Sequence, residues 1–211
     1  MGHHARWLLV VLAAVLVGCR RGAGPAEPGW AMRPPGPDAL PLSADRLPHS
    51  HFPVGSRITD PDSPGGFSPC DNYPGSLAGR DWGTDGAVAV VAFTDEPAAY
   101  AGYRGFAVRV VNRTAGTIPF AATDSALALV REARDGAGVW REIEFLQKSW
   151  CGNSYHRVFL GPGEYWQFPA PEYVGSVAAR MRFRLDPGGG RPAIYSNEFD
   201  GRLSAAQFRK E

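Results

Sequence analysis

From Gly86 onward, apolar and polar positions alternate in short runs separated by glycine turns. The run Val177–Leu185 is the clearest. Ala179, Met181, Phe183 and Leu185 fall on one side, and Arg180, Arg182 and Arg184 on the other. A period of two is the mark of a strand with one buried and one wet face. Tyr103–Asn112 behaves similarly, with Phe106, Val108 and Val110 on one face. In Val139–Leu146 the pattern puts Val139, Ile143 and Phe145 inside and leaves Glu142 and Glu144 outside. Further strands are predicted at Ala87–Phe93, Thr117–Ala121, Ala126–Arg134, His156–Leu160, Glu164–Phe168 and Ala193–Phe199, and a short helical turn at Ser204–Phe208. The "DGAG" at 135–138 and the "GPGE" at 161–164 supply tight-turn chemistry between them. Many short strands at this spacing predict an all-β fold, a two-sheet antiparallel sandwich of immunoglobulin-like or fibronectin-like type. A jelly roll or an open barrel is the alternative.

The first 79 residues look different. Twelve of the 19 prolines lie between Pro25 and Pro74. Proline fixes φ and removes a backbone donor, so neither a helix nor a central strand is expected there. The pattern predicts a Pro/Gly-rich tether over 19–79, pinned to the domain near Cys70, with the β domain at 80–211. His49-Ser50-His51 and Asp60-Pro61-Asp62 are read as incidental and as turn chemistry, not as metal ligands.

At the N-terminus, Trp7 to Val17 is an unbroken apolar run of 11 residues behind Arg6. A spanning helix needs about 20 residues, so this run has the length of a signal-peptide core. It ends in Leu16-Val17-Gly18-Cys19, which resembles the lipobox of bacterial lipoproteins. The resemblance covers these residues only. It implies a signal peptide at 1–18, a thioether from the Cys19 thiol to diacylglycerol, cleavage before Cys19, and anchoring at the bacterial cell membrane or outer membrane. Two or three acyl chains hold a protein stably where one would not.

Charge excludes some partners. The chain has 22 basic and 21 acidic side chains, and loss of Arg6 on cleavage leaves 21 of each. Such a balance gives no bulk attraction to nucleic acid.

Three cysteines are present. With Cys19 committed to lipid, Cys70 and Cys151 form an even pair in an oxidising compartment, and a disulfide between them is expected. It would close a loop of about 80 residues, worth roughly 4.5 kcal/mol in the chain-entropy model. A nucleophilic pair of Cys151 with His156, a zinc site that adds Cys70, and two free thiols are the alternatives. No G-x-S-x-G, H-E-x-x-H or P-loop occurs in the sequence. The expectation is therefore a non-enzyme without cofactor or metal, a monomer whose partner is a protein or a glycan. Candidate binding residues are Trp150, Tyr155, Tyr165 and Trp166, because exposed planar rings hold sugars and partner proteins. Arg180, Arg182 and Arg184 are the candidates for a charged surface, unless acids such as Glu142 and Glu144 pair with them. Asn112-Arg113-Thr114 fits a glycosylation acceptor by chance.

Overall fold

The computed structural model describes residues 32–45, 48–147 and 151–208. The signal peptide, the lipobox and Trp150 lie outside these residues. The strands are β1 (Leu42–Ser43), β2 (Gly75–Ser76), β3 (Val88–Tyr100), β4 (Tyr103–Asn112), β5 (Ile118–Thr123), β6 (Ala126–Arg134), β7 (Trp140–Glu142), β8 (Tyr155–Leu160), β9 (Glu164–Pro171), β10 (Tyr173–Val174), β11 (Val177–Asp186), β12 (Ile194–Tyr195) and β13 (Phe199–Leu203). Short 3₁₀ turns cover Gly152–Ser154 and Ala205–Phe208.

One sheet runs β2-β9-β4-β3. The other runs β12-β11-β6-β5-β8, with β13 also beside β11 and β7 beside β6. All these pairings are antiparallel; only the short β1–β10 pair is parallel. The chain is thus an all-β, two-sheet antiparallel sandwich. Phe106, Val108, Val110, Trp166 and Phe168 from one sheet meet Phe120, Leu127, Leu129, Met181, Phe183 and Leu185 from the other. In β4 and β11 these are the faces that the alternation assigns.

The turns behave as their residues require. Gly163 of the "GPGE" turn has φ +68°, a conformation open to glycine at no steric cost. In the "DGAG" turn the Asp135 carboxylate accepts from the Ala137 and Val139 amides, both at 2.9 Å. Asn112, fully buried, donates to the Gly116 and Leu160 carbonyls at 2.8 and 2.9 Å. The Asn-Arg-Thr sequence therefore serves as an internal turn lock.

β3 runs on to Tyr100 instead of ending at Phe93, and two further strand expectations change in kind. β7 stops at Glu142, and alternation stops with it. Ile143 is buried, but Val139 and Phe145 are 47% and 44% exposed while Glu144 is 2% exposed. The chain leaves the sheet here to meet the N-terminal segment, with Phe145 N–H donating to Pro48 O at 2.7 Å. The expected strand 193–199 is split into β12 and β13. Between them Asn197 bonds both the N–H and the C=O of Ala92, at 2.8 and 3.0 Å, sealing part of the open edge of β3.

The proline-rich segment is also more than a spacer where the structure describes it. Phe52 and Val54 are core residues, 3% and 0% exposed. Leu127 N–H donates to Phe52 O, and Val54 N–H to Ser125 O, at 3.0 and 2.8 Å. The strap lies along the start of β6, with Pro53 opposite Ala126. Proline forbids a central strand, but the residues between prolines still make single ladder bonds and bury apolar side chains.

Candidate functional site

The expected Cys70–Cys151 disulfide is not formed. Cys151 is an exposed free thiol, whereas Cys70 is buried at 6% exposure. Cys151 opens the 3₁₀ turn with its carbonyl accepting from Ser154 N–H at 3.0 Å. Sequence parity carries no information about whether two Cβ atoms approach within bridging distance.

Neither does Cys151 pair with His156. His156 Nδ1 sits 3.0 Å from the Ser154 carbonyl, an acceptor, so Nδ1 is the donor in this contact. Nε2 is buried without a hydrogen-bond partner. Phe67 of the strap stacks on the imidazole at 3.7 Å and 11°. Among the described residues, no three His, Cys, Asp or Glu side chains are grouped to hold a metal ion.

The strap and β8 enclose a cavity of about 160 Å³ lined by Ser56, Asp60, Phe67, Tyr73, His156 and Arg157, among others. Asp60 is its electrostatic keystone. Its carboxylate accepts from Arg157 N–H at 2.7 Å and from Arg157 Nε at 3.0 Å. Those side-chain hydrogen bonds from Arg157, against the opposing effect of burial, hold the Asp60 pKa down to about 2. Ser56 Oγ accepts from the Phe159 amide at 3.1 Å. Asp60 and Ser56 thus cap the edge N–H groups of β8 with side chains where a further strand would otherwise pair. Sequence reading missed this because both residues sit in the segment assigned to the tether. The Asp60-Pro61-Asp62 turn was the visible signal.

The aromatic candidates separate. Trp166 and Tyr165 are 0% and 5% exposed, so neither offers a stacking platform. Trp166 faces the core and donates from Nε1 to Gly55 O at 2.9 Å. Tyr165, on the opposite face, packs with Leu77, Val111 and Trp82. Both faces of β9 are covered, the outer one by Leu77 and Trp82, with the Arg80 guanidinium 5.3 Å from the Tyr165 ring. Tyr155 is 46% exposed.

The arginine stripe lies on the outer face of the larger sheet. Each of the three is paired across strands. Arg182 Nε bonds Glu132 at 2.8 Å, and Arg184 bonds Glu132 at 2.8 Å and also Glu142. Arg180 meets Glu198 and Asp200 at 3.5 and 3.2 Å. Glu142 is a partner as expected; Glu144 is not, because it is in the core. Arg182 is also clamped between two rings, its guanidinium carbon 4.1 Å from the Trp140 centroid and 3.9 Å from that of Tyr195. Arg134 lies over Trp140 at 4.9 Å. Tyr195 and Val139 are 48% and 47% exposed beside this ladder. The result is a stiff, charge-balanced face rich in Trp, Tyr and Arg, the residue types that dominate binding hot spots.

Glu144 joins a buried cluster. Its carboxylate lies 3.3 Å from Arg131 Nε and accepts from Tyr173 Oη at 2.9 Å and from the Arg131 amide at 3.2 Å. Burial first, and then the Glu144 charge, push the Tyr173 hydroxyl well above its ordinary pKa, which keeps it a donor. Arg131 Nη1 donates to Pro171 O at 2.8 Å. Its guanidinium lies 4.6–5.3 Å from the rings of Phe106, Tyr173 and Phe183.

No helix among the described residues is long and apolar enough to cross a membrane. No family model, curated protein or solved structure matches the chain.

Proposed function

We propose that this is an exported bacterial lipoprotein, anchored through Cys19, that presents a rigid β-sandwich as a non-catalytic binding module at the cell envelope. The anchor is supported by the apolar run ending in Leu16-Val17-Gly18-Cys19. The binding role is carried by one observation, the Arg182 side chain clamped between Trp140 and Tyr195 on an exposed sheet face. Rings held in place by a paired guanidinium lose little entropy when a partner covers them. A protein partner fits this face better than a glycan, because Tyr165 and Trp166 are buried and the stacking platform expected of them is not exposed.

Metabolic labelling with an alkyne-tagged palmitate tests the anchor. The wild type incorporates label and fractionates with membranes, and Cys19→Ala does neither. Photo-crosslinking in living cells tests the face. A crosslinker at Tyr195 traps one discrete protein species that Trp140→Ala abolishes. Labelling of Cys19→Ala, or an equal crosslink pattern from Tyr155, would refute the respective half.

A further inference from the structure

One end of the sandwich combines the point where the described chain begins with the most exposed large apolar side chain among the described residues. Arg33 O accepts from Ala99 N–H at 2.8 Å, and Leu40 O accepts from Arg104 N–H at 2.8 Å. The loop from 33 to 40 therefore lies against the turn of the β3–β4 hairpin. Leu40 is 72% exposed, and Tyr103 at the start of β4 is 43% exposed. Val174, whose strand pairs with β1 just beyond Leu40, is 41% exposed. The charges beside them are self-compensated, with Arg104 paired to Glu172 at 2.7 Å. Among the described residues, nothing covers the exposed parts of Leu40 and Tyr103.

The anchor decides what does. Arg33 lies 14 positions after Cys19. A chain of that length reaches about 43 Å if fully extended as polyproline II, and about 20 Å on average as a flexible coil. β3 itself has 13 residues, or about 43 Å of strand. The hairpin-turn end is thus held near the bilayer, and the 113–117 end stands a full domain length further out. Tethering raises the local concentration of bilayer to the millimolar range or above, so two apolar side chains suffice where a free domain would need more. Tyr and Leu are residue types that settle in the headgroup zone, and Arg33 and Arg104 keep their charged tips in water while their stems lie along it.

We propose that the sandwich docks on the membrane through this end, with Leu40 and Tyr103 in the lipid headgroup zone, so that the Arg182 face stands side-on to the bilayer. This rests on the lipid-anchor reading, and the test supplies the anchor artificially so that the two fail separately. The chain from residue 20, carrying an N-terminal hexahistidine and Cys151→Ser, is held on phosphatidylcholine vesicles containing nickel-chelating lipid. A polarity-sensitive fluorophore is attached at Asp38→Cys or, as the far-end control, at Ala115→Cys. Spin-labelled lipid should quench the probe at 38 strongly and the probe at 115 not at all. Adding Leu40→Ser and Tyr103→Ser should reduce quenching at 38 to the control level. Equal quenching at the two positions, quenching at 38 that survives the double serine variant, or a shielded probe at 38 without vesicles, which would signal a second copy on the patch, each overturns the proposal.

Discussion

The buried Arg131–Glu144 pair offers the sharpest test of what holds the sandwich together. Their side chains are 1% and 2% exposed. Glu144→Gln keeps the shape and still offers an oxygen to the Arg131 amide, but it removes the countercharge. The guanidinium is then left with the Pro171 carbonyl and three aromatic faces. Breaking a buried pair from one side costs about 3–5 kcal/mol, because it strands a desolvated charge. For a domain of this size that is a fall of about 6–20 °C in Tm. Arg131→Met with Glu144→Gln removes the stranded charge and keeps an apolar stem among the rings. The double variant should recover most of the loss and lie within about 2 kcal/mol of wild type, since swapping a buried pair for apolar atoms is often neutral or stabilising. Urea denaturation of residues 20–211, followed by tryptophan fluorescence, gives all four corners of the cycle. A single Glu144→Gln loss under about 1 kcal/mol, or a double variant no better than the worse single, would refute the account of this cluster as a matched charge pair.

Three further predictions concern the strap and its surroundings. Asp60 has its folded pKa depressed to about 2, so its contribution is present above the ordinary carboxylate range and lost as pH falls toward 2. Asp60→Asn should be less stable than wild type by about 1–2 kcal/mol at neutral pH, discounted because Arg157 is partly exposed, with the gap closing between about pH 5 and pH 2; a pH-independent gap contradicts this. Cys151 should react with a maleimide in the folded, unreduced protein at the rate of an ordinary exposed thiol, and Cys151→Ser should leave Tm unchanged; mass spectrometry showing a peptide that links Cys70 to Cys151 would contradict the structure. Trp166→Phe removes the bond to Gly55 O and part of a fully buried side chain, and should cost about 2–4 kcal/mol in urea melts; a cost near zero would mean that the strap does not depend on it.

Alternation alone determined the all-β class, the extents of β4 and β6, and the inward set Met181, Phe183 and Leu185, because each strand's two faces are written in every second residue. Even the inward position of Arg131 follows from that rule, as it shares a face with Leu127 and Leu129. The lipobox resemblance is likewise a property of the sequence, and it lies outside the described residues. What the sequence left open depends on neighbours far along the chain. Trp166 and Tyr165 occupy opposite faces of β9, and both are buried only because Leu77 and Trp82 fold over the outer face. Glu144 points inward because β7 ends two residues earlier and a distant arginine needs a countercharge. Asp60 and Ser56 sit among prolines that argue for a tether, yet they find edge amides of β8 about 100 residues away. The Cys70–Cys151 pairing failed for the same reason: composition can count thiols, but only the packing of the strap against the 151–154 turn decides which of them meet.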